Sequence, residues 1–141
     1  MTNKHNEAHA EKCLRGLRNS DCISDNVITA AAFLPKSNFQ SNRNPPVKEI
    51  SINHFDSSES LEILKKDKSN SEFGIISFPS NITTTIINLN PQILDASKLY
   101  IERQPITGNQ YHGNIIYDMQ IPHARIKLYA AIIATVSELI K

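Results

Sequence analysis

Two histidines in the sequence have neighbours that suit proton transfer or ligand binding. His54 is followed two positions later by Asp56, and His112 lies directly before Gly113. A histidine near a carboxylate can transfer protons at neutral pH, and a glycine lets a ligand approach the backbone closely. We therefore predict His112, His54 and Asp56 as candidate catalytic residues. The alternative readings are a turn ahead of an edge strand for His112 and a helix cap for Asp56.

The His112–Gly113 pair opens a predicted strand and resembles the strand histidine–glycine pair with which ADP-ribosyltransferases hold a nicotinamide cofactor. In that family the pair opens the catalytic domain, and an aromatic residue and a catalytic glutamate follow far downstream. Here the only later glutamate is Glu138, which belongs to the predicted C-terminal helix. The resemblance ends at the pair, so the activity is not carried over.

Metal-capable side chains recur near the N-terminus, where His5, His9 and Cys13 are spaced by four residues. They would form one stripe if a helix reached back to His5. The segment lacks the carboxylate that follows the first histidine in the metalloprotease motif, because Asn6 stands there. Phosphate-binding loops, dinucleotide glycine motifs and nucleophile elbows are also missing from the sequence. We therefore predict no metal and no cofactor.

Basic side chains suggest a second kind of site. The binding candidates fall in a polar stretch and at the start of the last predicted helix: Lys36, Arg43, Lys48, Arg125 and Lys127. Such groups can follow a phosphate backbone, but they also keep a surface solvated. The formal net charge of the whole chain is only +1, which provides no long-range attraction to nucleic acid.

The size and composition of the chain are those of one globular domain. It has 141 residues, of which 40% are hydrophobic and 21% charged. We predict a flexible N-terminus over 1–6 and a single domain over 7–141. The sequence shows neither a long apolar run nor the apolar core of a signal peptide, which predicts a cytoplasmic protein without a membrane segment. Cys13 and Cys22 are then expected to be free thiols.

Three segments have apolar residues at helical spacing, over 7–18, 57–66 and 122–141. Asp56 and Glu59 have the spacing of a capping box for the second helix. The last helix is the clearest, and its predicted core positions are Leu128, Ile132, Val136 and Leu139.

Other segments favour strands or loops. Alternation or β-branched residues predict strands over 49–54, 73–78, 82–89 and 113–119. Residues 26–33 suit a strand or a short helix, and residues 92–103 suit either a helix or a strand. A proline pair predicts a long exposed loop over 35–48, and 106–110 is predicted as a turn.

These elements predict an α+β fold, with a mixed or largely antiparallel sheet of about five strands and about three helices. For function, the leading expectation is a small accessory or protein-interaction subunit, bound to a protein partner or to copies of itself, because such a protein needs no catalytic motif. A cofactor-free or metal-assisted enzyme that uses His112, or His54 with Asp56, is the alternative. A nucleic-acid-binding module is the third reading and is not favoured.

Overall fold

The computed structural model describes residues 11–35, 47–90, 99–118 and 120–140. Three α-helices are present in these ranges: α1 (Ser58–Lys66), α2 (Ile82–Leu89) and α3 (His123–Thr135). Two 3₁₀ turns span Ser20–Cys22 and Ala30–Phe33. The strands are β1 (Lys12–Gly16), β2 (Ile23–Ser24), β3 (Val27–Ile28), β4 (Val47–His54), β5 (Ile75–Pro79), β6 (Leu99–Arg103), β7 (His112–Asp118) and β8 (Glu138–Ile140). The predicted α+β class is confirmed.

Six strands form one antiparallel sheet in the order β6-β7-β4-β1-β5-β8. The longest ladder joins β4 to β7, from Val47 opposite Asp118 to Asn53 opposite His112. By contrast, β1 and β4 pair only at Cys13–His54 and Leu14–Asn53. The short β1–β4 ladder leaves room beside β1 for a long side chain.

The predicted helix over 7–18 is wrong for its described part, because Lys12–Gly16 form the strand β1 between β4 and β5. Cys13, Leu14, Arg15, Gly16 and Leu17 are all buried, so the strand has no exposed face to produce an alternating pattern. Residues 1–10 lie outside the described ranges, and so do His5, His9 and the predicted flexible terminus.

The predicted strand or short helix over 26–33 is divided between two elements. Asp25 and Asn26 have positive φ angles of 51° and 64°, which is the geometry of a tight hairpin between β2 and β3. The chain then enters the 3₁₀ turn, whose Ala32 and Phe33 are buried. Of the predicted loop over 35–48, residues 36–46 are not described, and Lys48 belongs to β4.

Helix α1 confirms the predicted helix, but the predicted capping box is wrong. The N-cap is Ser57, and its side chain makes no capping hydrogen bond. Both expected capping carboxylates bind elsewhere: Asp56 accepts two hydrogen bonds from Arg103, and Glu59 accepts one from the Tyr111 hydroxyl. These partners lie far along the chain, so local spacing does not reveal them.

Residues 82–89 form α2 and not the predicted strand. Ile82 and Ile86, one turn apart, are both buried, and α2 contacts α3 and β6. The Thr83 hydroxyl donates to the Leu99 carbonyl on the edge strand β6. Packing on one helical face therefore overrides the strand preference of β-branched residues.

The C-terminal helix is confirmed, but it is shorter than predicted. It ends at Thr135, and Glu138–Ile140 form β8, which pairs with β5. The Thr135 and Ser137 hydroxyls donate to carbonyls of the last turn, which competes with continuation of the helix. The buried stripe is Ile126, Tyr129, Ala130, Ile133 and Ala134. The predicted stripe is therefore misplaced: Leu128 is 38% exposed and Leu139 lies in a strand.

Candidate functional site

The two faces of the sheet have different characters. Cross-strand partners share a face, and successive residues alternate between faces. Ile50, Ile52, Ile115 and Tyr117 belong to the hydrophobic core, so His54 shares their face. Asn53 and its partner His112 lie on the opposite face, where α1 packs against β1 and β4.

A cleft of about 190 Å³ opens where β1 and β4 stop pairing. We call it the arginine cleft. Its walls come from β1, β4, the start of β7, the end of α1 with the turn after it, and the turn between β6 and β7. Its polar lining residues include Arg15, Arg18, Ser51, Asn53, Asn70 and His112.

Arg15 forms the buried part of the cleft and is only 9% exposed. Its Nη1 donates to the Ser51 carbonyl at 2.6 Å, and its Nε donates to the Ala32 carbonyl. None of the described carboxylates lies within ion-pair distance of it. The pKa of Arg15 is lowered to about 10, chiefly because burial disfavours the charged form and then because the Arg18 cation is near. Arg15 therefore remains a cation at neutral pH without a paired anion.

Arg18 supplies a second cation to the same cleft. Its Nε is buried and has no hydrogen-bond partner among the residues that the structure describes. Buried donors in folded proteins are nearly always satisfied by protein, water or ligand. Two adjacent guanidinium groups with donors to spare are the arrangement that binds carboxylate or phosphate.

His112 is the one predicted catalytic residue that lines the arginine cleft. Its Nδ1 lies 2.8 Å from the Gln104 carbonyl oxygen. A carbonyl can only accept, so His112 donates from Nδ1, and Nε2 is the ring nitrogen left for other interactions. A catalytic role for His112 stays a prediction.

Asparagine side chains hold the walls of the cleft together. Asn109 Nδ2 donates to Asn53 Oδ1 at 2.8 Å, and Asn53 Nδ2 donates to the Ser60 carbonyl at 3.1 Å. Asn53 is only 2% exposed, so both bonds are shielded from water. They connect β4 to α1 and to the β6–β7 turn, which gives the cleft a rigid frame.

Asp67 and Asn70 lie in the turn after α1. Asp67 accepts from Asn70 Nδ2 at 2.6 Å and from the Ser69 hydroxyl at 3.1 Å. These hydrogen bonds, the one from Asn70 foremost, lower the pKa of Asp67, and the Arg18 cation adds to the effect. The Asp67 side chain is exposed, so its charge is screened by solvent at the rim.

The other two predicted catalytic residues lie away from the cleft. His54 is fully buried on the core face, opposite Cys13 on β1. Burial raises the pKa of the Cys13 thiol to about 12, so it is not an activated nucleophile. Asp56 forms a bidentate ion pair with Arg103, with both N–O distances at 2.7 Å. Catalytic roles for these residues stay predictions.

Gly113 makes room for the His54 ring. A Cβ atom at this position would lie 2.5 Å from His54 Cε1 and 2.4 Å from the Glu102 carbonyl oxygen. The space that the sequence suggests for a ligand is therefore filled by a neighbouring side chain. The glycine serves packing across the β4–β7 ladder.

The predicted basic binding residues are dispersed. Lys48 lies on β4, and Arg125 and Lys127 lie in the first turns of α3. None of these three lines the arginine cleft. Lys36 and Arg43 fall outside the described residues. A binding role for this set stays a prediction.

The described residues offer neither a cluster of metal ligands nor a helix that could span a membrane. Within the described ranges, no three histidine, cysteine or acidic side chains are grouped so that they could hold a metal ion. Cys13 and Cys22 are both buried and are not linked to each other. The described part of the chain also has no helix with the length and apolar character needed to span a membrane.

Sequence reasoning missed both arginines. The signal was available, since Arg15 and Arg18 stand in the run Cys13–Arg18, whose other residues are apolar or glycine. An arginine inside an apolar strand is rarely buried without a purpose, because burying its charge is costly. The predicted helix over 7–18 hid the signal, because a helix that packs on one side can turn charged side chains to solvent.

The chain matches no protein-family model, no curated protein and no solved structure. The case for a function therefore depends on the chemistry of the arginine cleft.

Proposed function

We propose that this α+β domain binds a small phosphate-bearing molecule in the arginine cleft. The observation that carries the proposal is the burial of Arg15 as a cation that no described carboxylate neutralises. A buried charge costs free energy unless it is paired, and a bound anion would supply the pair.

Charge and geometry favour phosphate over a monoanion. Arg15 and Arg18 together present two positive charges, and a phosphate monoester carries close to two negative charges at neutral pH. Planar guanidinium groups bind phosphate oxygens through paired hydrogen bonds. Acetate offers one negative charge and two oxygens, so it should bind more weakly than phosphate.

The test is a calorimetric titration of the whole chain with inorganic phosphate, and with acetate as the comparison anion. Arg18→Gln is the decisive variant, because Arg18 makes no hydrogen bond or ion pair within the described ranges that its loss would break. We expect it to weaken phosphate binding by about tenfold or more, since a hydrogen bond to a charged group contributes about 1.5–3 kcal/mol.

Lys127→Gln is the matched control, because it removes one exposed positive charge away from the cleft. It should leave phosphate affinity nearly unchanged. Equal losses in the two variants would mean that phosphate responds only to net charge, and the proposal would fail. It would also fail if the unmodified chain bound phosphate no better than acetate.

A second candidate is catalysis on the bound phosphate, and it is favoured by one observation: His112 shares the cleft with both arginines. With Nδ1 donating to Gln104, Nε2 is the atom that would exchange a proton with the ligand. Release of inorganic phosphate from phenyl phosphate, lost in His112→Gln while binding persists, would support this function. Binding without turnover would leave the protein a binding domain.

The expectation of an accessory or protein-interaction subunit stays a prediction and is compatible with a ligand-binding role. Light scattering on the purified chain, with and without phosphate, measures whether it self-associates. A monomer under both conditions would remove the homo-oligomer reading.

A further inference from the structure

A second cavity, of about 220 Å³, shares Arg15, Arg18 and Ser51 with the arginine cleft. Both cavities are therefore lined by the same two arginines. A phosphate held by these arginines would be next to the second cavity.

The second cavity differs from the arginine cleft in its lining. Besides the shared residues, it is lined by four apolar residues, Cys22, Ala31, Leu34 and Ile50. Two polar residues, Asn19 and Glu49, complete its lining. Its volume is several times the ~30 Å³ that one water occupies in the liquid. The second cavity is large enough for a ring-sized group, and a free phosphate ion would not fill it.

We infer that the ligand is an organic phosphate monoester, with its phosphate between Arg15 and Arg18 and its largely apolar body in the second cavity. This inference depends on the proposed function and specifies its ligand class. The apolar wall formed by Cys22, Ala31, Leu34 and Ile50 would gain free energy by covering an apolar group.

Two polar residues, Glu49 and Asn19, belong to the wall of the second cavity. Asn19, on the same wall, can accept or donate a hydrogen bond to one polar substituent. The lining therefore fits a ligand with one anionic end and a largely apolar body.

The test compares phenyl phosphate with inorganic phosphate by calorimetry on the whole chain. We expect phenyl phosphate to bind about tenfold more tightly, because its ring loses apolar surface to water only when it enters the second cavity. Ala31→Leu should place extra methyl groups in this cavity. That variant should bind phenyl phosphate no better than inorganic phosphate, while its affinity for inorganic phosphate stays unchanged.

Ala124→Leu is the matched control, since Ala124 is exposed on α3 and does not line the cavity. It should keep the full preference for phenyl phosphate. If Ala31→Leu does not fold, Leu34→Ala replaces it, because removing this apolar wall should reduce the preference severalfold.

The outcomes separate the two proposals. If neither probe binds, both the proposed function and this inference fail. If inorganic phosphate binds and phenyl phosphate binds no more tightly, only the inference is overturned. A loss of affinity for both probes in Ala31→Leu, with the fold intact, would also overturn it, since the second cavity would then not hold the body of the ligand selectively.

Discussion

The buried charge of Arg15 connects the stability of the fold to the proposed binding of an anion. Its two carbonyl partners satisfy part of the guanidinium, but they leave its positive charge without a counter-ion among the described residues. Desolvation makes such a charge costly in the empty protein and makes an incoming anion bind more strongly. The proposed binding of an anion next to Arg15 would therefore also stabilise the folded protein.

Gly113 shows a different constraint at the scale of single residues, namely close packing. Replacing it with alanine should lower the free energy of unfolding by about 1–3 kcal/mol, because the new methyl group meets the His54 ring and the Glu102 carbonyl. Urea denaturation of Gly113→Ala, His54→Ala and the double variant would measure this effect.

The double variant separates crowding from other causes. If the alanine methyl clashes with the imidazole, the losses in the two single variants should exceed the loss in the double variant by about 0.5–3 kcal/mol. Strictly additive losses would show that the His54 ring is not what excludes a side chain at Gly113.

At the scale of elements, α3 shows that an amphipathic pattern can indicate a helix and still mislead about its buried face. Ile133 is 1% exposed, whereas Leu128, an apolar residue of the predicted stripe, is 38% exposed. Ile133→Asp should cost about 3–5 kcal/mol because it buries an unpaired charge, and Leu128→Asp should cost less than about 1 kcal/mol.

Thermal or urea unfolding of both aspartate variants measures the difference. The two changes introduce the same side chain into the same helix, so helix propensity changes little between them. Similar losses in both variants would mean that the buried face of α3 is not the one that carries Ile126, Tyr129 and Ile133.

At the scale of the whole molecule, the Asp56–Arg103 pair connects the start of α1 to the edge strand β6 and contributes to stability against acid. The hydrogen bond from Arg103 lowers the pKa of Asp56 below its usual value, and the attraction of Arg103 adds to this effect. Because the folded pKa is lowered, the pair contributes its full stability at pH values above the pKa of Asp56 in the unfolded chain. The contribution is lost as the pH falls through the folded pKa.

Asp56→Asn should therefore flatten the loss of stability as the pH falls below about 5. Both side chains of the pair are partly exposed, at 24% and 33%, so the expected difference is only about 1 kcal/mol. Arg103→Gln should have the same effect on the pH profile. An unchanged acid limb in both variants would show that the ion pair does not contribute. Asp67, whose pKa is also lowered, should account for part of the slope that remains.

Much of the architecture follows from local sequence patterns. The alternation of Glu49–His54, the apolar run before Pro79 and the turn at 106–110 all correspond to elements of the fold. Helices α1 and α3 have apolar residues at helical spacing, because a helix that packs on one side needs such a stripe. Composition and length are enough to predict one α+β domain.

Only the tertiary structure decided the elements β1, α2 and β8. The segment Lys12–Gly16 forms a strand and not the predicted helix, and because four of its five residues are buried no alternating pattern marks it. The segment Ile82–Leu89 forms a helix and not the predicted strand, because packing outweighs the preference of its β-branched residues. Residues Glu138–Ile140 became a strand because the edge of β5 offered backbone partners.

The candidate site depends on both levels. The sequence alone pointed to His112 through its neighbouring glycine, although that glycine makes room for His54 and not for a ligand. Arg15 and Arg18 join His112 only because the sheet places β1, β4 and β7 side by side, and these strands are far apart in the chain. Residue types determine which charges are available, and only the tertiary structure decides which of them are buried together without a counter-charge.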